Sequence, residues 1–451
     1  MSAPDKPPAD PLPPPRKFSV PLYVRVLIAV VLGIAVGLFF KSEPIAFGWT
    51  TEHLGELAKL VIRLLTALAT PLIFFAILDA FVKTQIGGRQ GLKLVFICVI
   101  NIAVAFAIGL TIMNVLQPAL GLREWFSQIL PEKPPETVGV SLSPLEQLKK
   151  SVPNSLLQPF VFENPLGLVM LAVLIGIAIR TLRARNDETL HEDVLVLERL
   201  IAALFHLLMQ LLQFMVQIVP FAVFGILADV VGENGLEKVL QLLGTYLAAI
   251  LGGLAIHSLL YYPLVSWLVG GKSPLRFMRE AFEPMVTGLS VNSSLATVPL
   301  TLDALKRLEV SDTSARLSAC VGTNFNNDGI TLYEAMTALF IAQVAGYDLT
   351  VGQQVTVMIA SLSASMGSAG VPNSGLVILP LVLSAAGLPP VVIQQGLPLV
   401  QSVDWIAARV RSAVNVAGDL TVAVLLDVGE RRDEPIPPAH HHKIVPPSHG
   451  K

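Results

Sequence analysis

The chain has 451 residues, 53% of them hydrophobic and only 14% charged, with a net charge of −2. A soluble domain carries about 25% charged residues, so most of this chain must sit in lipid or pack against helices that do. The near-neutral balance excludes a polyanionic partner, and no nucleic-acid binding is expected.

The first 19 residues, opening MSAPDKPPADPLPPPRK, are proline-rich and polar. They show no signal-peptide pattern and are expected to form a disordered cytosolic tail. Roughly 20 apolar residues cross a bilayer as helix. Eight runs qualify: 22–40, 57–82, 92–116, 166–182, 200–231, 236–269, 319–345 and 400–426. The first holds Gly33-x-x-x-Gly37, a spacing that admits close helix packing. After the third, Pro118, Pro131, Pro134, Pro135 and Pro144 argue against another crossing and mark a long exterior loop at 117–153. Two more apolar stretches, near 277–305 and 355–390, are broken in the middle and read as re-entrant hairpins. A second polar tail is expected over 430–451, with its histidine run 440–442 in solvent. Cys98 and Cys320 have no metal-ligand spacing and are expected as small buried hydrophobes.

Lys and Arg fall on alternate loops, from Arg16 and Lys17 through Lys83, Arg180, Lys272 and Arg307 to Arg431. Placing them inside puts both termini in the cytoplasm. The first hairpin then enters from the cytoplasm and the second from outside, an inverted repeat with a site at its interface. The expected fold is an all-α membrane protein of eight transmembrane helices plus two re-entrant helical hairpins.

Four polar stretches carry the chemistry: 290–299 (SVNSSLATVP), 323–329 (TNFNNDG), 363–375 (SASMGSAGVPNSG) and 411–419 (RSAVNVAGD). A charge at the bilayer centre costs about 2.5–3.5 kcal/mol on insertion scales. Irregular backbone there needs protein or a water-filled cavity around it. Asp404, Ala408, Arg411, Asn415 and Asp419 recur every three or four residues and share one helix face. The planar fork of Arg411 matches a substrate carboxylate; the alternative is a permanent pair with a neighbouring aspartate. Arg409 points elsewhere and receives no role. Asp419 with Asn415, and Asp328 with Asn326, each resemble half of a hard-cation cage. Asn324, Asn326 and Asn327 before Gly329 favour local unwinding. Ser293, Ser294 and the 370–375 turn can present backbone N–H groups to an anion. HExxH, GxSxG and P-loop motifs are absent, so no enzyme is expected. His206 and His257 lie outside the polar stretches and are expected to be hydrogen-bonded histidines of the packing.

NSSLATVP, TNFNNDGITLYEAMTALFIAQ, GSAGVPNSG and RSAVNVAGD, in this order over about 20–427, closely resemble the dicarboxylate/amino acid:cation symporter family. That family includes archaeal aspartate transporters and animal glutamate transporters. The resemblance implies a homotrimer of the glutamate-transporter fold working as an elevator. It implies a scaffold largely of 20–82 and 155–270, apart from a transport-side helix near 200–231, and a transport core largely of 90–120 and 277–427. It implies sodium as coupling ion and no further cofactor. One sodium site would use Asp419, Asn415 and Asn326; a second, Asp328, Asn326 and Asn101; a third, backbone near Ser365, Met366 and Ser368 with Asn324. Arg411, Ser412, Asn415, Ser293, Ser294 and Gly375 would line the substrate pocket, and Pro372 would sit at the tip of the outer gate.

The departures shape the substrate expectation. Asn327 replaces the family's methionine, Ile330 a threonine, and Ala408 the aspartate that meets an amino acid's ammonium. An ammonium without that carboxylate forgoes a charge-assisted bond worth about 1.5–3 kcal/mol. A C4-dicarboxylate is therefore favoured over an acidic amino acid. The hydroxyl groups usual around Asn101 are missing. Glu334 matches a proton-linked glutamate of the animal transporters and is the candidate proton carrier. The expectation is an inner-membrane symporter for small carboxylates driven by Na+ and/or H+; the alternative is a channel or a substrate sensor on the same fold.

Overall fold

A computed structural model describes residues 22–41, 43–45, 48–83, 88–128, 155–161, 165–185, 188–366 and 374–429. Both expected tails and most of the proline-rich loop lie outside them. Among the described residues the regular elements are all helical. The principal ones are α1 (Leu22–Phe40), α2 (Thr51–Lys83), α3 (Gly88–Thr111), α4 (Pro165–Arg183), α5 (Glu188–Asn234), α6 (Leu236–Ala255) and α7 (Tyr262–Leu268). They continue with α8 (Pro274–Val291), α9 (Val298–Arg307), α10 (Asp312–Arg316), α11 (Asp328–Val344), α12 (Val351–Met366), α13 (Ser374–Ala385) and α14 (Pro390–Leu426).

Three helical runs, Arg89–Leu116, Thr189–Glu233 and Leu236–Leu268, are each long and apolar enough to cross a membrane. Large apolar side chains cover the outside: Phe39, Phe96, Phe214 and Phe221 are all more than 60% exposed. Water would penalise such a surface, whereas lipid accepts it. The expected span at 319–345 is not one helix. It breaks into a π turn (Leu317–Val321), a 3-10 turn (Gly322–Asn324) and α11, with 325–327 non-helical between them. The first broken stretch folds as α8 and α9 joined by a tip in which Asn292 is left-handed, with φ 54°. The second folds as α12 and α13, which pack on each other; the 367–373 turn between them lies outside the described residues.

α11 is the centre of the molecule. Every one of its 17 residues is buried, as expected for a helix apolar nearly all round. It is walled by α3, α6, α12, α13 and α14. A second body of packing joins α5 to α1 and α2, with α4 against α2. Here the Gly33/Gly37 spacing matters. A Cβ on Gly33 would stand 2.7 Å from the Phe224 carbonyl oxygen, and one on Gly37 2.7 Å from that of Ala228. The backbones of α1 and α5 thus touch where a side chain would hold them apart. Gly33→Leu is expected to cost about 1–3 kcal/mol by overpacking and to lower the thermal unfolding midpoint of the detergent-purified protein. Val31→Leu, on a side of α1 that is 59% exposed, should leave the midpoint unchanged.

Candidate functional site

The site grows from the break before α11. The first N–H groups of a helix have no intrahelical acceptor, and α14 supplies one: the Gly329 N–H donates to Asn415 Oδ1 at 2.8 Å. Asn415 Nδ2 donates to Asn327 Oδ1 at 3.3 Å, and Asn327 Nδ2 donates to the Ser365 carbonyl at 2.9 Å. Two asparagine amides thereby tie the start of α11 to α14 on one side and to the end of α12 on the other. Asparagine suits the task because each amide both accepts and donates.

Two carboxylates flank this junction. Asp328, fully buried, takes two donors on Oδ2: Tyr262 Oη at 2.8 Å and His257 Nε2 at 3.2 Å. The Asn326 amide is satisfied with its nitrogen towards Asp328 Oδ1 and its oxygen accepting from the Asp419 N–H, each at 3.3 Å. Asp419 is 3% exposed; Thr323 and Asn326 lie beside its carboxylate, and its Oδ1 has no hydrogen-bond partner. Ser318 Oγ donates to the Asp419 carbonyl at 2.6 Å. Asn101 accepts from Tyr261 Oη at 2.8 Å, while its own Nδ2 is unpartnered. Among the described residues no three His, Cys, Asp or Glu side chains converge on one point. A cation held here would be bound as alkali ions are, by one or two carboxylates with amide, hydroxyl and backbone oxygens. The orphaned oxygen of Asp419 fits that requirement.

Farther along α14, Arg411 is paired with Asp404 two turns back, Nη1 to Oδ1 at 3.0 Å and Nη2 to Oδ2 at 3.4 Å. Both side chains are buried. The guanidinium lies over the Tyr333 ring, 3.8 Å from its centroid, an arrangement in which the ring face attracts the cation. Its other side runs along Gly375 at the start of α13, where a Cβ would come within 2.7 Å of Nη1. No larger residue fits that position with Arg411 in place. Glu334, fully buried, feels the charges of Arg411 and Asp404, and neither of its oxygens has a hydrogen-bond partner.

The tip of the first hairpin closes the arrangement. Ser412 Oγ donates to Asn292 Oδ1 at 3.1 Å. Arg409 Nη1 donates to the carbonyls of Leu289 and Ser290 at 3.1 and 2.6 Å. These are terminal carbonyls of α8 that the helix itself cannot satisfy, so the arginine without a role in the sequence fastens the hairpin to α14. Ser294 is buried and Ser293 half-buried behind that tip, while Ala408 and Ile330 present apolar surface at 3% and 8% exposure.

The structure thus gathers Asn326, Asn327, Asp328, Asn415 and Asp419 at one junction, and Arg411, Gly375 and Glu334 at the next level of α14. Ser365 joins through its backbone. Ser368 and Pro372 lie outside the described residues, as do the side chains of Asn324 and Met366. Cys98 is buried, but Cys320 is exposed, contrary to expectation, because it falls on an outer side of the π turn. Sequence reasoning missed Tyr262 and set His257 aside. The available signal was a His and two Tyr in IHSLLYYP, polar tips that must find partners in an apolar span.

Residues 22–428 match the profile of a family described as the sodium:dicarboxylate symporter family. Excitatory amino acid transporter 3 of Mus musculus is 27% identical over 449 residues, covering 88% of this chain and 83% of the relative. The excitatory amino acid transporter of Caenorhabditis elegans is 36% identical over 258 residues, 57% of this chain and 49% of the relative. The C4-dicarboxylate transport protein of Deinococcus radiodurans is 28% identical over 419 residues, 90% and 88% of the two chains.

The Asp404–Arg411 pair yields a direct expectation. Asp404→Ala leaves a buried guanidinium without its carboxylate, a change that costs about 3–5 kcal/mol. The thermal unfolding midpoint of the purified variant should fall accordingly, and Asp404→Glu should recover part of the loss.

Proposed function

Since the chain belongs to the sodium:dicarboxylate symporter family, whose members are transporters rather than enzymes, we propose that it takes up C4-dicarboxylates by cation-coupled symport, with acidic amino acids as second choice. One observation carries the substrate assignment. The buried face of α14 offers a guanidinium whose five N–H groups are only partly used by Asp404, and α14 itself leaves no acid over at that level to meet an ammonium, while Glu334 of α11 serves the proton in this reading. Asp404 is spent on Arg411, and position 408 is an alanine. Arg411, Ser412, Asn415, Asn327, Ile330 and Ala408, with Gly375 and the Ser293/Ser294 tip, form the substrate pocket in this reading.

Sodium is the coupling ion of the reading, with Asp419 as its principal carboxylate beside Asn326 and Thr323. Glu334, fully buried beside Arg411 and Asp404 with two oxygens that no described group reaches, is the proton carrier of this reading. The packing supports a fixed frame of α1, α2, α4 and α5 and a moving unit of α3 and α6–α14 that travels as an elevator. In this division the segment 200–231, within α5, belongs with the frame, and α6 rides with the transport unit because it lies against α11 and α14. The working form in this reading is a homotrimer in the inner membrane, both termini cytoplasmic.

Labelled succinate and aspartate offered to proteoliposomes, under sodium and proton gradients imposed separately, test the reading. Concentrative succinate uptake that collapses with the sodium gradient is the expected result. Equilibration without accumulation would indicate a channel, and binding without flux a sensor. Ala408→Asp is expected to raise the aspartate-to-succinate uptake ratio at least tenfold, since a regained charge-assisted bond is worth about 1.5–3 kcal/mol; an unchanged ratio would remove Ala408 from the specificity argument.

A further inference from the structure

α6 does not end in an ordinary turn. It passes through a π turn at Ile256–Tyr261 before α7 begins, and the Tyr262 N–H donates to the His257 carbonyl, five residues back. A normal helix would set residues 257 and 261 over one another and swing residue 262 away. The wider turn keeps all three on one side. π turns of this kind recur at functional sites because they re-aim side chains.

The consequence is a plate of three polar rings facing α3 and α11. His257 stacks on Tyr261, centroids 5.1 Å apart and planes at 19°, and meets Tyr262 edge-on at 4.5 Å. Tyr261 Oη holds Asn101 Oδ1. Tyr262 Oη and His257 Nε2 both reach Oδ2 of Asp328, with the His257 and Asp328 side chains fully buried. A carboxylate oxygen only accepts, so Nε2 must carry a hydrogen. No other described group uses the ring's second nitrogen.

We infer that His257 is a positioning residue for the coupling cation. Together with Tyr262 it fills one oxygen of Asp328 and fixes the carboxylate plane. Only Oδ1 then faces Asn326 and, through that amide, the Asp419 backbone. Partners that hydrogen-bond a ligating group from behind set its orientation, and losing one typically costs about 10–100-fold in ion affinity. The inference rests on the cation-coupled reading above and adds to it a residue from outside the four polar stretches.

The test uses sodium alone as probe: the sodium concentration that gives half of the maximal rise in unfolding temperature of the purified protein, without substrate. His257→Phe keeps the ring stack on Tyr261 and Tyr262 but removes the donor, and should raise that concentration about tenfold or more. His257→Gln can place an amide N–H near the position of Nε2 and should stay within about threefold of wild type. Tyr262→Phe, which removes the other donor to the same oxygen, should move it in the same direction as His257→Phe, a check that survives if the His257→Phe protein fails to fold. A responsive wild type with an indifferent His257→Phe overturns the inference alone. So does a His257→Gln protein as impaired as His257→Phe, because packing would then explain both. A wild type whose stability ignores sodium overturns this inference and the sodium-coupled reading together.

Discussion

Asn415 holds the place on which everything else around α11 depends. Its oxygen takes a free N–H in the first turn of α11, that of Gly329, and its nitrogen reaches Asn327, whose own amide goes on to the end of α12. Without these bonds, the backbone at 325–327 would be an irregular segment in a dry core with orphaned polar groups, each costing several kcal/mol in an apolar surround. With them, the break is stable and two carboxylates can sit on either side of it. The break is what sets the Asn326 amide between Asp328 Oδ1 and the Asp419 N–H.

The two carboxylates are prepared in opposite ways. Asp328 is surrounded by donors from the π turn and from Asn326, so much of its capacity is spent within the protein. Asp419 keeps an oxygen without a partner, and its demand for a positive charge is unmet. In the cation-coupled reading proposed above, a buried anion in that condition is costly unless a cation arrives. One level higher, Arg411 repeats the principle with reversed sign. Asp404 and the Tyr333 ring make its burial tolerable, and in the proposed reading its remaining N–H groups are offered to a substrate anion.

Both hairpins lie close against this column. Arg409 and Ser412 secure the first at its carbonyl end and at left-handed Asn292. Gly375 lets the second lie directly on the Arg411 guanidinium. In the proposed reading, binding, ion capture and hairpin position therefore meet on a few turns of one helix, α14, a short path over which occupancy of one site would be felt at the next.

Much of this was legible before any fold was known. The apolar runs, the polar stretches within them and the shared face of Asp404, Arg411, Asn415 and Asp419 follow from helical periodicity and from the cost of charge in lipid, which act residue by residue along the chain. The Gly33/Gly37 spacing admitted close packing without requiring it, and only the fold shows the carbonyls of Phe224 and Ala228 against it. The tertiary structure alone decided which partner each polar group takes. Arg411 could have waited for a substrate or paired with an aspartate, and only the fold shows Asp404 against it. Arg409 had no visible task because its acceptors, the carbonyls of Leu289 and Ser290, lie about 120 residues away in the chain. His257 looked like packing because a π turn leaves no mark in apolar periodicity, yet that turn places it on Asp328. Local pattern states that a buried polar group must be satisfied; which group satisfies it is a long-range contact, and that is settled only when the helices assemble.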